Sequence, residues 1–140
     1  MENFAAYSTI AEIEDVVDRF ERCRFAKQEF THAHHLAVAA WYLHDSTPEE
    51  ALTRMRSSLL RFTSFHGVNA YHETITRFWL LLTHKFLNEA ARDLSFPEAV
   101  TELVRRYGRK DILFAYYSQE RIQSAEAKKS WLDPDLQELR

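Results

Sequence analysis

Residues 47–67 read TPEEALTRMRSSLLRFTSFHG, a stretch that contains the start, the apolar stripe and the end of one α-helix. Thr47 is a good N-cap, Pro48 suits the first helical position, and Glu50 completes a capping box. Gly67 is placed as a glycine that ends a helix. The stripe between these signals has helical spacing and consists of Leu52, Met55, Leu59, Phe62 and His66. This stretch therefore predicts one complete amphipathic helix.

Similar patterns predict helices on both sides of this one. The chain has only 2 glycines and 3 prolines, which is little turn chemistry for a sheet of many strands. We therefore expect an all-α fold, an up-down bundle of five to six helices in a single domain over residues 1–140. The other expected segments are a first helix from Thr9 to Phe25, a second after Thr31 to His44, a fourth from about Asn69–Tyr71 to Ala91, a fifth from Phe96 to Gly108, a sixth from Asp111 to Ala127, and an extended tail from Lys128 to Arg140.

The composition excludes several classes of protein. With 46% apolar and 28% charged residues the chain is typical of a globular protein rather than a disordered one. The start, Met1-Glu-Asn-Phe, lacks a signal-peptide pattern, and Cys23 is the single cysteine, so we expect a cytoplasmic protein. No apolar run approaches the roughly 20 residues of a membrane span, so no membrane is expected. The net charge of -3 argues against nucleic acid, and thus against a helical DNA-binding regulator. Amphipathic, aromatic-rich helices permit a homodimer as well as a monomer.

Four of the seven histidines are predicted to meet at one end of the bundle. His32, His35, His66 and His72 each continue an apolar stripe at a helix end. Short connections favour antiparallel neighbours, so the start of the second helix, the end of the third and the start of the fourth should lie together. The remaining three lie elsewhere: His44 and His84 belong to the opposite end, and His34 should leave the stripe.

Imidazoles grouped in this way suit a divalent transition metal such as Zn, Fe, Cu or Ni. We expect His32, His35 and His72 as the ligands, with His66 as a fourth ligand or an acid/base. Glu73 is placed to bind the metal, to orient an imidazole or to transfer a proton, although an ion pair with Arg77 would pull it away. The leading hypothesis is a small metal-dependent enzyme that acts on a small molecule.

The same residues allow a non-catalytic reading. Two helix N-termini in one place favour an anion, and histidines at helix ends often cap backbone groups. The alternative is therefore a helical module that binds a small anion or a protein partner. It predicts a metal-free protein whose pocket histidines bond only to the backbone or to one another. Further groups that could face this pocket are Tyr71 as a donor, Arg22 or Arg24 as a source of charge, and Tyr116, Tyr117 and Arg121.

Several segments resemble a group of small bacterial all-helical proteins of unassigned function. They are residues 30–43, FTHAHHLAVAAWYL, then HGV at 66–68 and YHETIT at 71–76, with weaker likeness in YSQER at 117–121 and WLDPDL at 131–136. This resemblance implies a helical fold and no particular activity. A looser likeness is to the DinB-like metalloprotein bundles, which hold a metal with three histidines from different helices. Here His32 and His35 form an i,i+3 pair on one helix, which departs from that pattern. The likeness therefore extends only to the helical-bundle architecture.

Overall fold

The structure, a computed structural model, describes residues 6–139, and helices form all of its regular structure in that range. The all-α fold expected from the sequence is confirmed. None of the helices within 6–139 has both the length and the apolar character needed to cross a membrane. The α-helices are α1 (Ile10–Glu21), α2 (His32–His44), α3 (Pro48–Phe65), α4 (Glu73–Asn88), α5 (Phe96–Tyr107), α6 (Gln119–Ile122) and α7 (Ala125–Lys129), with a 3₁₀ helix at Lys110–Ala115 between α5 and α6.

Helix α2 lies at the centre of the bundle and packs against α1, α3, α4 and α5. Its middle is apolar on every side, as expected of a helix that is surrounded by others. Ala37 and Ala40 belong to the core formed with α4 and α5, whereas Val38 and Ala39 belong to the core formed with α1 and α3. The alanines let neighbouring helices approach closely, and α2 thereby joins the two halves of the core.

The start of each long helix is fixed by a side-chain cap. Thr9, Thr31, Thr47 and Ser95 each form a capping box, which satisfies backbone N–H groups that a helix start otherwise leaves free. Helix α4 differs, because the side chain of His72 accepts the backbone N–H of Ile75. The cap predicted at Thr47 is confirmed, and Thr31, after which the second helix was predicted to start, is the cap of α2.

The predicted antiparallel order of α2, α3 and α4 is confirmed. One cavity is lined by Thr31 at the start of α2, Thr63 near the end of α3 and His72 at the start of α4. A different cavity is lined by His44 and His84, which lie near the other ends of α2 and α4.

Three predicted helices were wrong in extent. Helix α1 ends at Glu21 instead of Phe25, and α4 spans Glu73–Asn88 instead of about Asn69–Tyr71 to Ala91. The helix predicted over 111–127 is divided into the 3₁₀ helix, α6 and α7. Ser118 and Ser124 each accept the backbone N–H three residues ahead, so each begins a new short helix.

The segment after α7 packs on α4 as the extended tail that the sequence predicted. The backbone N–H of Leu132 donates to Thr74 Oγ1, and Arg77 lies over the ring of Trp131 at 4.9 Å. Arg140 lies outside the described residues.

Candidate functional site

The cavity between the start of α2, the end of α3 and the start of α4 is the candidate site, and we call it the end cavity. Its volume is about 370 Å³, which lies within the range of roughly 300–1,000 Å³ of ligand sites. Its apolar wall consists of Phe30, Leu59, Phe62, Val68, Ala70 and Ile75. The polar residues that line it are Lys27, Thr31, His35, Thr63, Tyr71, His72 and Thr76.

His72 has both ring nitrogens in use. Nε2 donates to the carbonyl oxygen of Ile122 at 2.8 Å, and Nδ1 accepts from the backbone N–H of Ile75 at 3.1 Å. A single neutral tautomer satisfies both bonds. Burial lowers the pKa of His72, which favours this neutral form. The ring therefore caps α4 and attaches the end of α6 to it.

His32 and His66 also bond to backbone carbonyl groups from distant parts of the chain. Nε2 of His32 lies 3.1 Å from the oxygen of Tyr107, and Nε2 of His66 lies 3.1 Å from the oxygen of Phe25. A carbonyl oxygen only accepts, so the imidazole is the donor in both bonds. Burial lowers the pKa of His32 to about 4, so this imidazole is neutral at pH 7. These two rings hold neighbouring segments in place and are not among the residues that line the end cavity.

His35 differs from the other three histidines because no group within residues 6–139 forms a hydrogen bond with its ring. It lines the end cavity beside Phe30, with ring centroids 6.0 Å apart. Burial, with a smaller contribution from the charge of His32, lowers the pKa of His35 to about 4. At pH 7 the ring is thus neutral, with one nitrogen able to donate and the other able to accept.

Glu73 belongs to an ion pair between α3 and α4. Its carboxylate receives two bonds from Arg56, at 2.9 and 2.6 Å, and a third from the hydroxyl of Tyr71 at 2.6 Å. The Arg56 guanidinium is the main reason that the pKa of Glu73 is lowered. The ion pair expected with Arg77 is replaced by this one, and Tyr71 donates to Glu73. Glu73 itself does not line the end cavity in the described part of the chain.

Within residues 6–139, Lys27 is the lysine or arginine that lines the end cavity, and it was not among the predicted site residues. Because α1 ends early, residues 22–31 form a connection that carries Lys27 to the cavity. Arg22 instead pairs with Asp18 on α1 at 2.8 Å. The prediction missed Lys27 because it placed the end of α1 at Phe25. With the helix ending at Glu21, the cation at the cavity is Lys27, five residues after Arg22.

The aromatic and basic groups of the C-terminal region do not face the end cavity. Tyr116 packs on Phe78, the Tyr117 hydroxyl donates to the carbonyl of Leu132, and Arg121 donates to the carbonyl of Asp133. The expectation that these three side chains line the pocket was wrong, since the tail occupies the polar groups of Tyr117 and Arg121 and the ring of Tyr116 packs in the core.

His34 was predicted to leave the apolar stripe, but its ring stacks on that of the buried Phe25, with centroids 4.8 Å apart. Its Nδ1 accepts the backbone N–H of Thr31 at 3.2 Å, which completes the capping box of α2. A histidine thus takes the position that glutamate usually has in this motif.

The structure brings the predicted metal ligands to one end of the bundle but gives them different partners. His35 and His72 share the end cavity, while His32 turns toward Trp79, with ring centroids 4.4 Å apart. Across residues 6–139, no three His, Cys, Asp or Glu side chains are arranged to hold a metal ion. Metal binding by His32, His35 and His72, and catalysis by His66 and Glu73, stay predictions.

Comparison of the chain with family models, with curated proteins and with solved structures found no match. The resemblances noted for its histidine-containing segments therefore also stay predictions.

Proposed function

We propose that this protein binds a small, largely apolar molecule in the end cavity, and that a polar group of this molecule hydrogen-bonds to the ring of His35. The proposal is carried by one observation: of the four grouped histidines, His35 alone has a ring without a hydrogen-bond partner in residues 6–139. The ring nitrogens of His35 are thus available to a ligand, and a hydrogen bond to them would fix the orientation of a molecule held by the apolar walls.

The walls of the end cavity favour an apolar ligand body. Leu59, Val68 and Ile75 supply aliphatic surface, and Phe30 and Phe62 supply aromatic surface. A few polar groups among apolar walls is the usual composition of a small-molecule site, since the walls provide affinity and the polar groups fix orientation.

The other three histidines support the proposal because their rings already bond to backbone carbonyl groups, whereas the ring of His35 does not. His66 bonds to the connection before α2, His72 to the end of α6, and His32 to the end of α5. We therefore favour the non-catalytic binding module over the metal-dependent enzyme. That module was expected to have pocket histidines bonded only to the backbone or to one another; His32, His66 and His72 have backbone partners, and His35 has none within residues 6–139.

The test uses p-cresol and toluene as probes, because the two differ by one hydroxyl group. We expect isothermal titration to show p-cresol binding roughly three- to tenfold more tightly than toluene, the value of one net hydrogen bond. In His35→Leu the preference should reverse, since the hydroxyl would then be buried without a partner. The matched control is His44→Leu, an exposed histidine at the opposite end, which should keep the preference for p-cresol.

Two results would contradict the proposal. One is that neither probe binds at millimolar concentration, and the other is that His35→Leu leaves the ratio of the two affinities unchanged.

Metal analysis separates this proposal from the metal-dependent enzyme. We expect protein purified without a polyhistidine tag to contain far less than one equivalent of Zn, Fe, Cu or Ni. Stoichiometric metal that is lost in both His35→Ala and His72→Ala, with the fold retained, would favour the enzyme instead.

A further inference from the structure

We infer that the ligand of the end cavity is a small aromatic carboxylate, with its carboxylate paired to Lys27 at the mouth and a polar group on the far side of its ring bonded to His35. This inference rests on the proposed function and adds the chemical class of the ligand.

Lys27 is an exposed cation that lines the end cavity and has no ion pair within residues 6–139. The nearby carboxylates have other partners. Glu29 accepts the backbone N–H of Ala26 at 2.7 Å, and Glu73 is held by Arg56 and Tyr71. An anion at the mouth could therefore pair with Lys27 without displacing a carboxylate of the described residues.

The helix ends around the cavity add to this potential. Thr31 and His72 are the N-caps of α2 and α4, and both line the cavity. Each helix start carries a partial positive charge, and the C-terminal end of α3 offsets only one of the two.

The shape of the wall favours a ring as the ligand body. Phe30 and Phe62 face the cavity with their own ring centroids 5.3 Å apart and their planes tilted by 49°. A third ring can pack against such a pair edge to face. A cavity of about 150 Å³ holds benzene, so 370 Å³ leaves room for a ring with short substituents at both ends.

The experiment compares p-cresol with 4-hydroxyphenylacetate, which is p-cresol with a carboxylate on the methyl carbon. In low salt we expect the acid to bind about two- to fivefold more tightly, the gain typical of one exposed ion pair. The gain should disappear in Lys27→Met and shrink in 0.5 M NaCl, because salt screens exposed charges. Lys129→Met removes an exposed lysine elsewhere and is the control that should keep the gain.

The outcomes distinguish this inference from the proposed function. If p-cresol binds through His35 but the acid binds no more tightly, or keeps its advantage in Lys27→Met, the aromatic-carboxylate assignment is wrong and the proposed function stands. If neither compound binds, the proposed function itself fails. Because Lys27 is exposed, its variant should fold normally, and its melting temperature verifies this.

Discussion

His32 and His35 are one turn apart on α2, and their imidazoles have different partners. The ring of His32 donates to the carbonyl of Tyr107, whereas the ring of His35 faces the end cavity. Both are held neutral, with the pKa of each lowered to about 4 by burial. A histidine whose ring has a backbone partner should therefore lower the free energy of unfolding when it is replaced, whereas His35 should not.

Replacement of His35 should cost little stability, while replacement of His72 should cost much. In His35→Leu an unpaired polar ring becomes apolar, and we expect the free energy of unfolding to stay equal or to rise by about 1 kcal/mol. In His72→Leu the cap of α4 is lost and the carbonyl of Ile122 is left unpaired, for a loss of about 2 kcal/mol. Urea unfolding of ligand-free protein measures both changes.

Equal losses in the two variants would contradict this division between a ligand-binding and a structural histidine. Conservation of the urea m-value in both variants is the control that the native and unfolded states are otherwise the same.

At the scale of elements, α3 and α4 are joined beside the end cavity by the Arg56–Glu73 pair. The side chain of Glu73 is 12% exposed and that of Arg56 is 38% exposed, so solvent screens the pair only in part. Two parallel N–H bonds fix the relative position of the helices more firmly than a single contact does. Leu59 on α3 and Ile75 on α4 line the end cavity within three residues of the two members of the pair.

A double-mutant cycle should detect this pair. We expect Arg56→Met and Glu73→Gln each to destabilise the fold, with a coupling free energy of about 1 kcal/mol for a half-exposed bidentate pair. The exposed i,i+4 pair of Lys85 and Glu89 at the C-terminal end of α4 is the matched control, where the coupling should be smaller, about 0.3–0.5 kcal/mol. A coupling at Arg56 and Glu73 no larger than in this control would show that the pair does not fix the two helices.

For the whole molecule, the sequence predicted correctly those features that depend on residues close together in the chain. The caps and stripes of α2 and α3 lie within a few residues of each other, and the short connections determine that these helices alternate in direction. The meeting of His35 and His72 at one cavity followed from those two facts alone.

The partners of these histidines could not be predicted from local patterns. His72 bonds to a residue 50 positions away and His32 to one 75 positions away. Arg56 and Glu73 are 17 positions apart on different helices, and their pairing depends on how the helices are rotated. The division of the segment after α5 did have a local signal, since Ser118 and Ser124 are both good N-caps.

The whole fold should lose stability in mild acid. A native histidine with a pKa of about 4 stays neutral, whereas its unfolded form takes up a proton below about pH 6.5. Stability is therefore fully present above pH 6.5 and is lost as the pH falls toward 4. In this window His35 should lower the free energy of unfolding by about 1 kcal/mol for each pH unit of acidification.

The measurement is urea unfolding at pH 7.0, 6.0 and 5.0 for the wild type and for His35→Leu. The variant should lose less stability than the wild type between pH 6 and 5, because one proton fewer is taken up on unfolding. Parallel curves would mean that His35 is protonated equally in both states.

The central claim is that His35 receives the ligand while His32, His66 and His72 hold the backbone. Long-range ¹⁵N–¹H correlation spectra of the ¹⁵N-histidine protein test it most directly, because ring nitrogen shifts report which nitrogen carries a proton and which accepts a bond. On addition of p-cresol at pH 7, we predict large changes in the ¹⁵N chemical shifts of the His35 ring. His32, His66 and His72 should keep the proton on Nε2. Binding of p-cresol without a change at the His35 nitrogens, or with a change of tautomer at His72, would contradict it.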